Sequence, residues 1–264
     1  MKIEIESVSF TYPTGVSALR DVSTSIGSGE AVAIIGQNGA GKTTLVKHLN
    51  GLLKPTSGRA TIGEWDTRDH STAKLAARVG YVFQNPDEQL FQQTVRAEIM
   101  FGPKNLGWAA ARVAAETEAA LTRVGLADLA TKHPYDLTPG QRKRVALASV
   151  LAMDTPIVVL DEPTTGQDYA GAELIGQIVD EMHRRGQTAI AITHDIDFCA
   201  EHFERVIVMA EGRILLDGPA RDVLAQESVL AQTYVDPPQL VRLAKRLGRE
   251  DVPLNVEEFM AVRS

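Results

Sequence analysis

Cysteine is nearly absent: Cys199 is the only one in 264 residues, so no disulfide can form within the chain and a reducing compartment is the simpler expectation. No apolar run approaches the roughly eighteen residues that a membrane-spanning helix needs. The opening Met1-Lys2-Ile3-Glu4-Ile5-Glu6 alternates as a strand does, where a signal peptide would be continuously apolar. The chain is therefore expected neither to cross a membrane nor to be exported. A basic surplus is also lacking, since the formal net charge is −7; this argues against a broad nucleic-acid surface and leaves room only for a local basic patch. Internal repeats and low-complexity segments are missing too. What is there, 44% hydrophobic and 23% charged residues, suits one large domain or two intimately joined ones with a real core.

The most informative stretch is Ala31-Val32-Ala33-Ile34-Ile35-Gly36-Gln37-Asn38-Gly39-Ala40-Gly41-Lys42-Thr43-Thr44. Gly36, Gly41, Lys42 and Thr43 fit the G-x-x-x-x-G-K-[ST] pattern of a phosphate-binding P-loop. An apolar strand precedes it and a helical pattern follows. The glycines let the backbone turn with unusual φ angles and bring its N–H groups close to phosphate oxygens with no Cβ in the way. A helix starting near Gly41 adds the positive end of its dipole. In that geometry Lys42 reaches the β- and γ-phosphates and the Thr43 hydroxyl ligates Mg²⁺.

Before this stretch, Lys2 to Phe10 and Val22 to Ile26 alternate around a turn at Tyr12-Pro13-Thr14-Gly15, which predicts an antiparallel flap. After it, Arg59 to Ile62 resumes strand character, and the short apolar run Val79-Gly80-Tyr81-Val82-Phe83 ends at Gln84. From about Thr94 to Ala152 the periodicity is helical; Val113, Thr117, Ala120, Leu121 and Val124 fall on one face. This predicted helical insertion closes on a second helix start. Thr138 is placed as N-cap, Pro139 at the first helical position, and Gln141 completes a capping box.

Pro156 to Leu160 reads as a strand buried in a parallel sheet, and it ends in Asp161-Glu162. A helix over Glu173 to Arg185 and a buried strand from Thr188 to Thr193, ending at His194-Asp195, imply parallel crossovers. Val206 to Met209 and Arg213 to Leu216 finish the sheet. In the tail, Leu240, Leu243, Ala244 and Leu247 form an apolar stripe expected to pack against the cassette or a partner subunit. Open parallel sheets bind ligands at the carboxyl ends of their strands. The P-loop, Gln84, Asp161 with Glu162, and His194 are thus expected to form one site. Asp161 suits a Mg²⁺ ligand, and Glu162 is placed to take a proton from an attacking water.

These residues resemble the ATP-binding subunits of ABC transporters, over about residues 2 to 220. Gly36 to Thr44 corresponds to Walker A, Gln84 to the Q-loop, Leu137-Thr138-Pro139-Gly140-Gln141 to the signature, Ile157 to Glu162 to Walker B, Gly166-Gln167-Asp168 to the D-loop, and His194 to the switch histidine. The resemblance implies an α/β P-loop NTPase fold with a parallel core sheet, an antiparallel β subdomain and an inserted helical subdomain. It divides the chain into a nucleotide-binding core over 1–84, a helical subdomain over 85–152, the rest of the core over 153–222 and a C-terminal helical extension over 223–264. ATP and Mg²⁺ are the implied ligands. Tyr12, Gly36, Asn38, Gly39, Gly41, Lys42, Thr43 and Thr44 would bind nucleotide, with Tyr12 stacking on adenine. Thr43, Gln84 and Asp161 would hold the metal, and Glu162, His194 and Gln84 would serve catalysis. Thr138, Gly140 and Gln141 would act in trans, on ATP bound to a second ATPase subunit, beside Asp168 of the D-loop.

Finer features, Gln84-Asn85-Pro86-Asp87-Glu88-Gln89-Leu90-Phe91, Thr165-Gly166-Gln167-Asp168 and the tail after Pro237, look like energy-coupling factor importers, which take up vitamins and transition-metal ions. That resemblance implies a peripheral subunit on the cytoplasmic face of the cell membrane. Its partners would be a second ATPase, identical or related, a transmembrane coupling subunit and a substrate-binding membrane subunit, with no nucleic acid. Docking is expected between Asn85 and Phe101, where Leu90, Phe91, Ile99, Met100 and Phe101 supply apolar groups. The competing readings are a soluble ABC ATPase acting on ribosomes or DNA, and a small-molecule kinase; the latter leaves the Thr138 helix start without a purpose. Thr138, Pro139 and Gln167 depart from the commonest family residues, Ser, Gly and Leu.

Overall fold

A computed structural model describes residues 1–261. An antiparallel sheet forms first, from β1 (Ile3–Thr11), β2 (Ser17–Ile26), β4 (Ser57–Ile62) and β5 (Trp65–Asp66), in the order β2-β1-β4-β5. Between these strands the chain contributes β3 (Ala31–Ile35) to a second sheet and α1 (Lys42–Lys47) to the layer packed on it. After α2 (Thr72–Leu75) comes β6 (Val79–Val82), and then the helices α3 (Val95–Asn105), α4 (Ala110–Arg123) and α5 (Pro139–Leu151), which pack on one another. The core resumes with β7 (Ile157–Asp161), α6 (Tyr169–Arg184), β8 (Thr188–Ile192), α7 (Ile196–His202), β9 (Arg205–Ala210) and β10 (Arg213–Pro219). Short helices follow: α8 (Ala220–Leu224), α9 (Glu227–Ala231), α10 (Gln239–Arg246) and α11 (Val256–Ala261).

The second sheet runs β10-β9-β3-β8-β7-β6, parallel throughout except for β10. Its two faces differ in residue size. Val32, Ile34, Ile190 and Ile192 turn their branched side chains toward the antiparallel sheet and α1, where they meet Ile3, Ile5 and Leu45. Ala31, Ala33, Ala189 and Ala191 face the helices, and these small residues let Ile175, Val179 and Phe198 come close. β3, β7 and β8 are buried along their whole length. The continuously apolar runs are the sequence record of that burial.

The helical face of α4 is as the periodicity predicts: Val113, Thr117, Ala120 and Leu121 are buried. The tail meets its expectation only in part. Of its stripe Ala244 is buried and Leu240 half-buried, while Leu243 and Leu247 are 43% and 63% exposed; these two leucines do not pack on their own cassette, and of the two expected covers only a partner subunit is left for them. Val223, Leu224 and Leu230 are buried with the main core, which α8 and α9 therefore extend.

The sheet and the helical layer approach closely at Gly80, where an added Cβ would lie 2.4 Å from Val150 Cγ1 and 2.9 Å from Thr155 Oγ1. Gly80→Ala is expected to cost about 1–3 kcal/mol of stability through this overpacking. Urea unfolding of Gly80→Ala with and without Val150→Ala checks it: the second substitution should recover part of the loss, and an unchanged penalty would place its cause elsewhere.

Candidate functional site

Strand order brings the predicted site residues into a row, because β3, β8, β7 and β6 are neighbours and run parallel. At the end of β3, Gly36 has φ 141°, and a Cβ there would sit 2.1 Å from the Met209 carbonyl oxygen, so no other residue fits the turn. α1 starts at Lys42, directly behind Gly41, with no side chain capping its first amides. Those amides are left for an anion. The Lys42 side chain is buried, and its ammonium donates to the carbonyls of Gly36 (2.6 Å) and Gln37 (3.0 Å). Burial lowers its pKa, while the charges of Glu162 and Asp161 raise it.

A cavity of about 360 Å³ opens beside the loop, lined among others by Tyr12, Asn38, Gly39, Gly41, Lys42, Thr43, Thr44, Gln84, Asp161 and Glu162. The Tyr12 hydroxyl shares a 3.0 Å hydrogen bond with Thr44 Oγ1, and its ring packs edge-on to Phe10. The residue is thereby fixed at the rim. An adjoining cavity of about 690 Å³ adds His194 to Gly36, Gln37, Asn38, Gln84 and Glu162.

Asp161 is buried and its two oxygens are treated differently. Oδ2 accepts from the Tyr81 hydroxyl at 2.7 Å, whereas Oδ1 is buried without a hydrogen-bond partner. Burial, and then the Asp161 charge, push the Tyr81 pKa up, so the phenol stays protonated and donates. An orphaned buried carboxylate oxygen is costly and fits a bound cation. Among the described residues no group of three or more His, Cys, Asp or Glu could hold a metal ion. A single carboxylate with a free oxygen at a phosphate loop is a donor set that suits Mg²⁺, which takes one or two carboxylates, substrate phosphates and waters.

Glu162 has φ 50°, in the left-handed region, and donates its backbone N–H to Ile192 O at 2.7 Å. Such strain persists only where the surroundings enforce it. The turn carries the carboxylate toward the end of β8, where Oε2 accepts from His194 Nδ1 at 2.7 Å. His194 itself is exposed, so this contact orients a buried carboxylate from the solvent side.

Thr138, Gly140, Gln141 and Asp168 do not join the group. None of them lines either cavity beside the P-loop. The capping box is present: the Gln141 N–H donates to Thr138 Oγ1 at 3.3 Å, and the Thr138 N–H to Gln141 Oε1 at 3.0 Å. Asp168 caps α6 through Gly171 N–H at 2.8 Å. Gln167 donates to the Gly140 carbonyl at 3.0 Å, which fastens the two exposed segments to each other.

Two residues that brace the site from behind, without lining either cavity, escape sequence reasoning. One is Tyr81, whose partner Asp161 lies 80 residues away. The other is Lys143, only 2% exposed, whose ammonium donates to the carbonyls of Phe83 (2.9 Å), Gln84 (2.6 Å) and Asp161 (3.0 Å). Burial pushes its pKa down to about 8, against the opposing charges of Asp161 and Glu162. Within Gln141-Arg142-Lys143-Arg144 it reads as part of a solvated basic run. The available signal was its helical spacing from Ala146, Leu147 and Val150, all buried.

The family description "ABC transporter" matches residues 19–165. An energy-coupling factor transporter ATP-binding protein, EcfA, of Methanothermobacter thermautotrophicus is 41% identical over 97% of this chain and 84% of its own length. The structure of cbiO1 from Clostridium perfringens, part of the ABC transporter complex cbiONQ, superposes with a TM-score of 0.78 at 36% identity, covering 93% of this chain and 98% of that one. The cassette MJ0796, a dimer in a post-hydrolysis state bound to ADP and Pi, gives 0.77 at 28% identity over 83% of this chain and 99% of that one. Three further relatives are longer proteins, of which this chain spans 45%, 41% and 44%. Likeness of this extent, in sequence and in backbone alike, accounts for a phosphate loop and a separate capped helix start in one chain: it belongs to the ABC transporter family, as an ATP-binding, ATP-hydrolysing subunit.

Proposed function

We propose that the chain powers an importer of the energy-coupling factor type, for a vitamin or a transition-metal ion, as one of two ATPase subunits. The second subunit is a further copy or a related chain, and the pair works beneath a transmembrane coupling subunit and a substrate-binding membrane subunit, on the cytoplasmic face. The names of the Methanothermobacter and Clostridium relatives support this reading. No helix among the described residues is long and apolar enough to cross a membrane, so the link to one must be a surface.

The observation that carries the proposal is an apolar groove between β6, α3 and α5, about 260 Å³ in volume, lined by Leu52, Phe83, Phe91, Phe101 and Met153 among others. Phe91 and Phe101 are 57% and 44% exposed and meet edge-on at 4.8 Å. Leu90 and Ile99, expected on the same surface, are instead core residues, 3% and 0% exposed. The groove suits an amphipathic helix laid in by its apolar face. Its floor is bonded to the Q-loop: Gln89 accepts from the Phe83 N–H at 3.1 Å and donates to Ala146 O and Ser149 Oγ. Pressure on the two phenylalanines therefore reaches Gln84.

In the nucleotide site the loop amides and Lys42 bind and orient the phosphates, and Tyr12 presents its ring to the base. Thr43, Asp161 and Gln84 would hold Mg²⁺, which would supply charge to neutralise the phosphate oxygens. Glu162 takes the proton of the attacking water while His194 keeps its carboxylate aimed. Thr138, Gly140 and Gln141 offer a helix start to the partner's ATP.

Glu162→Gln is expected to bind ATP normally and to hydrolyse it about 10²- to 10⁴-fold more slowly, the usual worth of a general base. Near-normal turnover would remove Glu162 from that role. Phe91→Asp and Phe101→Asp should keep ATP binding and basal hydrolysis but abolish association with the membrane subunits, read by copurification. If folded variants still copurify in full, the docking surface lies elsewhere.

A further inference from the structure

We propose that Lys143 is a positioning residue that locks the helix presenting Thr138 and Gly140 to the Q-loop and to the Asp161 strand end of its own chain. The inference rests on the reading of Thr138 to Gln141 as the surface that meets a partner's ATP.

β6 and β7 pair up to Val82 and Leu160, and beyond that the carbonyls of Phe83 and Gln84 have no partner in the ladder. Lys143 reaches them from α5, which lies in the other layer. An ammonium has three donors, and all three here meet backbone carbonyls, at 2.6 to 3.0 Å. A buried charge is tolerated only when so completely paired, and an apolar side chain of similar volume would fill the same space without that demand. The cation thus contributes geometry rather than bulk.

Other contacts between these segments stay on one side. Arg142 pairs with Asp87 at 3.2 Å, and Gln89 reaches Ala146 and Ser149; both join the segment after Gln84 to α5. Lys143 alone among them also holds Asp161. It lies about one helical turn from Pro139, roughly 6 Å along the axis, so fixing its ammonium fixes the depth and rotation of the helix start. Gln84 and Asp161, at the chain's own site, and Thr138 and Gly140, offered to the partner, are then set by one group.

The test uses the full chain carrying Glu162→Gln, in which ATP is retained, with Lys143→Met or Lys143→Gln added. Binding of a fluorescent ATP analogue to dilute monomer reads the chain's own loop, and sedimentation with ATP reads closure. In Lys143→Met the loop amides and Lys42, which Lys143 does not touch, are intact and hold the nucleotide in the monomer, so we expect monomer affinity within about threefold of the parent, and an ATP-dependent dimer weakened about ten- to hundredfold, the effect on an equilibrium of losing a hydrogen bond to a charged group. Lys143→Gln, which keeps a donor, should lie between. Unchanged dimerisation, or equal loss of binding and dimerisation, would reduce Lys143 to a structural cap and overturn the inference. Failure of both variants to fold would do the same. A folded Glu162→Gln parent that does not dimerise with ATP overturns the function proposed above, and this inference with it.

Discussion

A parallel sheet covered on both faces has nowhere to put a charge except at the ends of its strands, and the site depends on that constraint. β3, β7 and β8 are buried from end to end, and in β3 and β8 alanines face the helices while branched residues face the antiparallel sheet. Polar chemistry starts at or just past the last strand residue: Gly36 after Ile35, Asp161 and Glu162 at the end of β7, Thr193 and His194 after Ile192. Because β3, β8, β7 and β6 run the same way and lie side by side, their ends form one edge. An antiparallel strand among them would carry its group to the opposite edge.

The same constraint governs the carboxylates. Asp161 and Glu162 sit where the low-polarity interior begins, and each is given just enough partners to stay in place. Tyr81 holds one oxygen of Asp161 and leaves the other unpaired; His194 holds one oxygen of Glu162. A fully paired site would be more stable and chemically idle. The strained backbone at Glu162 belongs to this compromise, since a strand continued through it would send its carboxylate to the face opposite Asp161.

Much of this was legible in the sequence wherever cause and effect lie within a few residues. The P-loop turn, the capping box of Thr138 and Gln141 and the buried runs all signal themselves locally, and the structure forms each of them. Contacts across the fold were not legible. Tyr81 and Lys143 find partners 80 and up to 60 residues away, and a lysine between two arginines gives no hint that it is the buried one. Periodicity also states that a face is apolar without saying what covers it. For α4 the cover is the chain itself; for Leu243 and Leu247 it is not. Between Asn85 and Phe101 the pattern could not separate the buried Leu90 and Ile99 from the exposed Phe91 and Phe101.

A single chain thus carries a loop for phosphate on one surface and a capped, exposed helix start on another, with no residue of the second lining the first. We propose that each surface is completed by the other subunit. Mixing two inactive variants of the chain tests it most directly: Lys42→Met, which disables the loop, and Gly140→Asp, whose side chain would collide with the Gly166 carbonyl, 2.9 Å from an added Cβ. If the site is shared, the mixed dimer contains one intact pair of surfaces, and hydrolysis should reappear on mixing. A mixture as inactive as its components, under conditions in which the unaltered chain hydrolyses ATP, would contradict the claim.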